Sequence, residues 1–288
     1  MRLSTRDFWL AVLAALIWGA TFPISAIALE SMPPIFFTFL RFSCASIFVV
    51  LIPRPAVPFS KLIVIGLLLG VGQYSFMFVS MANGMPAGLA SLLVHTQAFF
   101  TIAIAMLIFS ERLSKRQICA LAIAAPGLAF LIVDQSQTGS VVGLALMLIA
   151  ALCGAFGNIL LKSLRQVDTL GVAGWMSLAA PLPLLLLSLL TELNGSVVDL
   201  VSTISWKTAG AVAYSAIFAT VLAYAIWGRL LSTYSSVLVA PFFLLVPVFG
   251  LGLSALVLGE YLSMFQIFGV ISIFIGLALA LWPKHDFR

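Results

Sequence analysis

Ten times along this chain of 288 residues the sequence runs for about twenty positions with almost nothing but apolar side chains. The runs cover roughly 8–29, 34–52, 60–82, 86–109, 115–133, 140–163, 170–190, 205–230, 235–258 and 263–282. Twenty apolar residues, about 30 Å of helix, cross the hydrocarbon core of a bilayer. Lipid supplies no water to unpaired backbone groups, so each run must close its hydrogen bonds within itself, as a helix. No stripe of period 2 or 3.6 breaks the runs, as an amphipathic soluble element would. Composition closes the other route: 63% of residues are apolar and only 8% charged, where a soluble domain is about one quarter charged. The expected fold class is an all-α membrane protein with ten transmembrane helices.

The breaks carry turn chemistry: Met32-Pro33-Pro34, Pro53-Arg54-Pro55, Asn83-Gly84-Met85-Pro86 and Glu111-Arg112. Arg2 and Arg6 precede the first run, and Ala26-Ile27-Ala28 loosely resembles a cleavage site. That run is too long for the apolar region of a signal peptide, so it is read as a retained helix.

Basic residues set the orientation. With the N-terminus inside, twelve of the fourteen Lys and Arg residues fall on the cytoplasmic side: Arg2, Arg6, Arg54, Lys61, Arg112, Lys115, Arg116, Lys162, Arg165, Arg229, Lys284 and Arg288. The outer side receives only Lys207, and Arg41 sits within the second run. This bias predicts both termini inside. It also accounts for the net charge of +5, which gives no reason to invoke nucleic acid; the large partner is the bilayer. Cys44, Cys119 and Cys153 all lie in apolar runs and read as small hydrophobes, not a disulfide framework or metal site.

Glu111-Arg112-Leu113-Ser114-Lys115-Arg116-Gln117 recurs as Glu260-Tyr261-Leu262-Ser263-Met264-Phe265-Gln266, an offset at which Gly127 also meets Gly276. Each Glu-x-Leu-Ser-x-x-Gln ends one apolar run and opens the next. The chain therefore divides into repeats of five helices, 1–135 and 140–288. Five is odd, so the second repeat enters the membrane upside down. Inverted repeats are a transporter signature, with the substrate site near the midplane between the halves. Glu111 and Glu260 are expected to cap the helices that follow them, beside Ser114 and Ser263. Gly66-x-x-x-Gly70, Ala120-x-x-x-Ala124 and Ser272-x-x-x-Gly276-x-x-x-Ala280 should let helix backbones approach closely.

The whole chain resembles the drug/metabolite transporter superfamily, in its EamA-type family. The residues that carry the likeness are Trp18-Gly19, Met32-Pro33-Pro34, Leu40-Arg41-Phe42, Met85-Pro86-Ala87-Gly88-Leu89-Ala90-Ser91, Gln97-Ala98-Phe99-Phe100-Thr101, Gly259-Glu260 and Glu111-Arg112-Leu113. The likeness is greatest to bacterial inner-membrane exporters of amino acids and metabolites. It implies a multi-pass exporter that works by alternating access around a midplane cavity, with small-molecule substrates and no cofactor.

Polar groups inside a bilayer are costly and default to functional candidates. Here they are Gln73 and Tyr74 in the third run, His95 and Gln97 in the fourth, Asn158 in the sixth, and Tyr214, Tyr224 and Trp227 in the eighth, with Trp18 in the first. Amide N–H groups or His95 could hold a substrate carboxylate, and Trp18, Tyr224 or Trp227 could face an ammonium by cation–π attraction. His95 and Gln97 lie about 200° apart on a regular helix, so both should not face one narrow cavity equally. Pro241 and Pro247 should bend the ninth run. Arg41 is within snorkelling distance of the outer face and could pair with backbone carbonyls there, a direct role in transport being the lesser alternative. No Asp or Glu lies deep in a run, which argues against a carboxylate-driven antiporter and favours facilitative export. A proton-coupled exporter of drugs or other small metabolites is the alternative, with His95 as the group that titrates near neutrality. No Gly-Lys-Ser or Gly-Lys-Thr occurs, so no phosphate-binding loop is present. The absence of paired carboxylates or a His/Cys/Asp/Glu cluster in the runs argues against a membrane-embedded enzyme. A channel would share the architecture. Two complete repeats make a monomer sufficient for the whole pathway.

Overall fold

The computed structural model describes residues 3–51, 53–109, 115–133, 141–164, 169–192, 197–202, 204–234 and 236–281, and contains no strand among them. Each apolar run folds as helix. In chain order these are α1 (Thr5–Leu29), α2 (Pro34–Ile47), α3 (Phe59–Ala82), α4 (Ala87–Ile108), α5 (Lys115–Val133) and α6 (Val141–Lys162). The second half continues with α7 (Thr169–Ser177), α8 (Pro181–Thr191), the short α9 (Val197–Ser202), α10 (Trp206–Thr233), α11 (Ser236–Val239), α12 (Leu245–Leu258) and α13 (Met264–Leu281). Helices α1, α3, α4, α6 and α10 are long and apolar enough to cross a membrane, and the α7–α8 pair, bent by 41° at its break, makes a sixth. Leu107, Leu190 and Leu256 are more than three-quarters exposed, a surface suited to lipid.

The helices depart from regular geometry at matched places. Residues Gly66–Gln73 of α3 and Tyr214–Leu222 of α10 take i→i+5 hydrogen bonding; shifted by the offset that relates Ile123 to Ser272, 149, the first stretch falls on 215–222. Helix α4 tightens to a 3₁₀ turn at Val94–Thr96, and Ala240–Leu244 makes a 3₁₀ turn between α11 and α12. Shifted the same way, Val94–Thr96 falls on 243–245. Pro241 lies in that turn and Pro247 in the first turn of α12, where a missing N–H costs no helical bond. The bend expected from the prolines is thus a break.

Small residues bring backbones together. A Cβ on Gly127 would stand 2.8 Å from the Gly269 carbonyl, and one on Gly276 the same distance from the Ala120 carbonyl, so α5 and α13 touch through reciprocal positions. Gly66 lies against the Met176 carbonyl of α7, Gly19 of α1 against the Val246 carbonyl of α12, and Gly250 of α12 against Ser91 of α4. None of these sites has room for a side chain without backbone movement.

The Glu-x-Leu-Ser-x-x-Gln motif works differently from the expectation. Ser263 and Gln266 form the capping box of α13 by themselves: the Gln266 N–H donates to Ser263 Oγ and the Ser263 N–H to Gln266 Oε1, both at 3.1 Å. Glu260, turned away by the left-handed Gly259 (φ 66°), instead accepts from the N–H groups of Ala87 and Gly88 at 2.7 and 2.8 Å. It caps α4, whose own N-cap is Pro86 with no side chain to offer. Glu111 lies outside the described residues. Glu192, which no sequence motif marked, does the same for α2, accepting from Ile35 and Phe36 N–H at 2.7 and 2.9 Å and from Ser188 Oγ at 2.8 Å. Asp7 gathers a third cluster, accepting from Tyr234 Oη and Ser4 Oγ at 2.7 Å and pairing with Arg229 at 3.3 Å.

Candidate functional site

A cavity of about 260 Å³ opens where α1, α2, α3, α4, α6, α7, α10 and α12 converge. Eight of the nine candidate residues line it: Trp18, Gln73, Tyr74, His95, Gln97, Asn158, Tyr224 and Trp227. Tyr214 does not. Its hydroxyl donates to the Ile17 carbonyl at 2.9 Å and its ring stacks on Phe218, so it joins α10 to α1 away from the cavity walls.

One wall is aromatic and centred on Trp18, whose ring meets those of Tyr224, Trp227 and Phe243 edge to face at 5.4–5.5 Å. Passing from i→i+5 back to i→i+4 bonding leaves a carbonyl without a helix donor. The Trp18 indole N–H supplies one, donating to Ala219 at 2.9 Å, which fixes the ring in place. His95 packs on Phe243 with ring centres 5.0 Å apart, and its Nδ1 lies 2.7 Å from the Ser91 carbonyl. A carbonyl can only accept, so Nδ1 carries a proton, and in the neutral form of the ring Nε2 is an acceptor.

The amide wall is built around a missing side chain. Gln73 Nε2 donates to Gln97 Oε1 at 2.9 Å, joining α3 to α4. A Cβ on Gly154 of α6 would fall 2.1 Å from Gln97 Oε1 and 2.8 Å from Gln73 Nε2; only glycine admits the pair. The Gln97 NH₂ and the Gln73 carbonyl make no hydrogen bond among the described residues. Asn158 Nδ2 lies 3.5 Å from Thr101 Oγ1, at the limit of a hydrogen bond. His95 and Gln97 both reach this cavity because the Val94–Thr96 turn separates them, and the 100° step of a regular helix does not hold across it.

Arg41 departs most from its expected place. It does not snorkel: it is 1% exposed and lines the cavity. Its guanidinium carbon stands 4.2 Å from the Tyr74 ring centre, and Nη2 donates to Tyr74 Oη at 3.2 Å and Thr220 Oγ1 at 3.5 Å. The sequence signal was an arginine inside an apolar run. Its depth came from α2 packing against α3 and α10, which run length does not report. The wall thus presents donors from Arg41 and the amides, acceptors from His95 and the amides, and aromatic faces. No Asp or Glu among the described residues lines it. Among the described residues no three His, Cys, Asp or Glu side chains gather to hold a metal.

Comparison with known proteins agrees with this architecture. The EamA-like transporter family profile matches residues 7–133 and again 141–282. A probable amino-acid metabolite efflux pump of Salmonella typhimurium is 39% identical over 283 residues, covering 96% of this chain and 94% of that protein. A protein of the same description from Escherichia coli K12 is 36% identical over 282 residues, with the same shares covered. One solved crystal structure shares the fold at a TM-score of 0.62 and 18% identity, covering 96% of this chain and 97% of that one.

Proposed function

The chain belongs to the EamA-like transporter family, whose members are transporters and not enzymes, and on that premise we propose that it exports amino acids and related metabolites across the bacterial inner membrane. It is a multi-pass membrane protein. The observation that carries the reading is the cavity wall: aromatic faces, amides, an imidazole and a guanidinium, with no carboxylate among the described residues, around about 260 Å³. Pockets for drug-sized ligands hold about 300–1,000 Å³, so this one suits a smaller cargo. The two relatives described as amino-acid metabolite efflux pumps support the same class. Broad specificity follows from the aromatic wall, which receives varied side chains without reading them by hydrogen bonds.

Ten crossings with both termini inside are supported by which ends meet. In that topology the starts of α2 and α4 share the outer face with Glu192 and Glu260, which cap them. Ser4, Asp7, Arg229 and Tyr234 share the inner face, and they too are in contact. The matched irregular stretches of α3 with α10 and of α4 with the turn before α12 support two inverted repeats, 1–135 and 140–288. Breaks in corresponding helices of the two halves mark the binding region of such transporters.

A second cavity of about 170 Å³ shares Leu69, Leu161, Met176 and Tyr224 with the first and extends to Leu164 and Val172. These lie at the inner ends of α6 and α7 in the topology above, so the conformation is read as open to the cytoplasm. Cargo then moves by alternating access. The absence of a carboxylate among the described wall residues supports facilitative export. The test is efflux from cells loaded with a methionine-containing dipeptide: expression should speed the appearance of external methionine. An unchanged rate at verified membrane expression would overturn the substrate class.

A further inference from the structure

Resting on the reading of the cavity as the cargo site, we propose that Arg41 is the anchor for the cargo's carboxylate, so that the pathway selects molecules bearing a free carboxylate over their amides and decarboxylated amines. Sequence alone assigned that task to the amides and His95, and the geometry reassigns it. Arg41 is buried to 1% exposure in the cavity wall. Its Nε and Nη1 have no hydrogen-bond partner, and Nη2 meets only the hydroxyls of Tyr74 and Thr220. Nη1 alone offers two N–H donors and Nε a third.

Among the described residues no Asp or Glu lines the cavity, and none of them gives the guanidinium a counter-charge there. A buried charge without an opposite partner is strongly unfavourable, and membrane-embedded arginines are otherwise paired or solvated. A cargo carboxylate supplies both the missing charge and the missing acceptor. The rest of the cavity suits the other end of an amino acid. His95, with Nδ1 held by the Ser91 carbonyl, presents an acceptor to an ammonium, and the Trp18 cluster presents aromatic faces. Gln73 and Gln97 hold each other, leaving one NH₂ and one carbonyl, too little to neutralise a carboxylate. Tyr74 stacks on the guanidinium and keeps its plane fixed.

The test uses the full chain in proteoliposomes, with counterflow of radiolabelled methionine challenged by methionine, methioninamide, 3-methylthiopropylamine and inorganic phosphate. Binding to the protein in detergent is followed in parallel by tryptophan fluorescence. Methionine should compete at least about tenfold better than its amide or amine, a charge-assisted hydrogen bond being what separates them. Arg41→Gln should lose at least about tenfold of the methionine signal and erase the preference between acid and amide, while Arg41→Lys keeps part of both. Equal competition by acid and amide in the wild-type protein overturns the proposal without need of any variant, as does a preference that survives in Arg41→Gln. Stronger competition by phosphate than by methionine overturns the choice of carboxylate. If flux is absent but fluorescence still discriminates acid from amide through Arg41, the anchor stands and export of amino acids falls. Neither flux nor binding with any carboxylate-bearing compound overturns both.

Discussion

The Ser272 hydroxyl of α13 donates to the Ile123 carbonyl of α5, and the 149 residues between them are the same offset at which Glu111-x-Leu-Ser recurs as Glu260-x-Leu-Ser. In the proposed two-repeat arrangement each residue therefore touches its own counterpart. The flanking contacts are reciprocal, Gly127 meeting Ile273 and Gly276 meeting Ala124, as contacts around a twofold axis must be. The packing of α5 on α13 thus supports the proposed duplication.

That packing leaves no space at either glycine. Gly127→Leu and Gly276→Leu should each cost about 1–3 kcal/mol from overpacking, read as a lower unfolding temperature in detergent, without changing the order in which cargoes compete. Gly252→Ala is the control: a Cβ there meets nothing within 4 Å, so its unfolding temperature should hold or rise slightly.

The glutamate caps act on different helices. Glu192→Ala and Glu260→Ala should each destabilise by about 1–2 kcal/mol through lost capping of α2 and α4. The two residues share no partner, so the double variant should show the sum in thermal unfolding. A double variant no worse than either single one would contradict separate caps.

Gly154→Ala should act on transport through the Gln73–Gln97 pair it faces. The added methyl cannot coexist with the hydrogen bond between them. Its uptake defect should resemble that of Gln97→Ala, and combining the two should add little, a non-additivity expected of one shared contact.

Wall residues should separate from scaffold residues. Alanine at His95, Gln73 or Asn158 should reduce uptake by more than about tenfold at equal expression, each removing hydrogen-bonding groups worth about 1–3 kcal/mol. Tyr214→Phe loses only a hydroxyl bonded to Ile17. It should cost about 1 kcal/mol of stability and leave the competition order unchanged.

Much of this organisation was legible in the sequence because the bilayer makes the reading simple: run length gives helices, and scarce polar groups in those runs give candidates. Trp18, Gln73, His95 and Asn158 reach one cavity for that reason. What run length does not carry is the identity of neighbours. Glu192 looked like an unremarked loop carboxylate until α8 brought it to the start of α2. Glu260 sits beside Ser263 in sequence, yet Gly259 turns it toward α4. Tyr214 has the composition of a site residue and the position of a helix–helix contact. Arg41, inside its run, looked able to snorkel, and only the packing of Tyr74 and Thr220 around it shows that it is buried in the cavity wall instead.

The most direct test is flux of radiolabelled amino acids into proteoliposomes holding the purified chain, with methionine, cysteine, O-acetylserine, threonine and phenylalanine as competitors, with and without a proton gradient. Saturable uptake that several amino acids compete, at a rate indifferent to the gradient, is the predicted result. Uptake seen only with the gradient would contradict facilitative export and make His95 the group to examine for coupling. The absence of any amino-acid uptake would contradict the central claim.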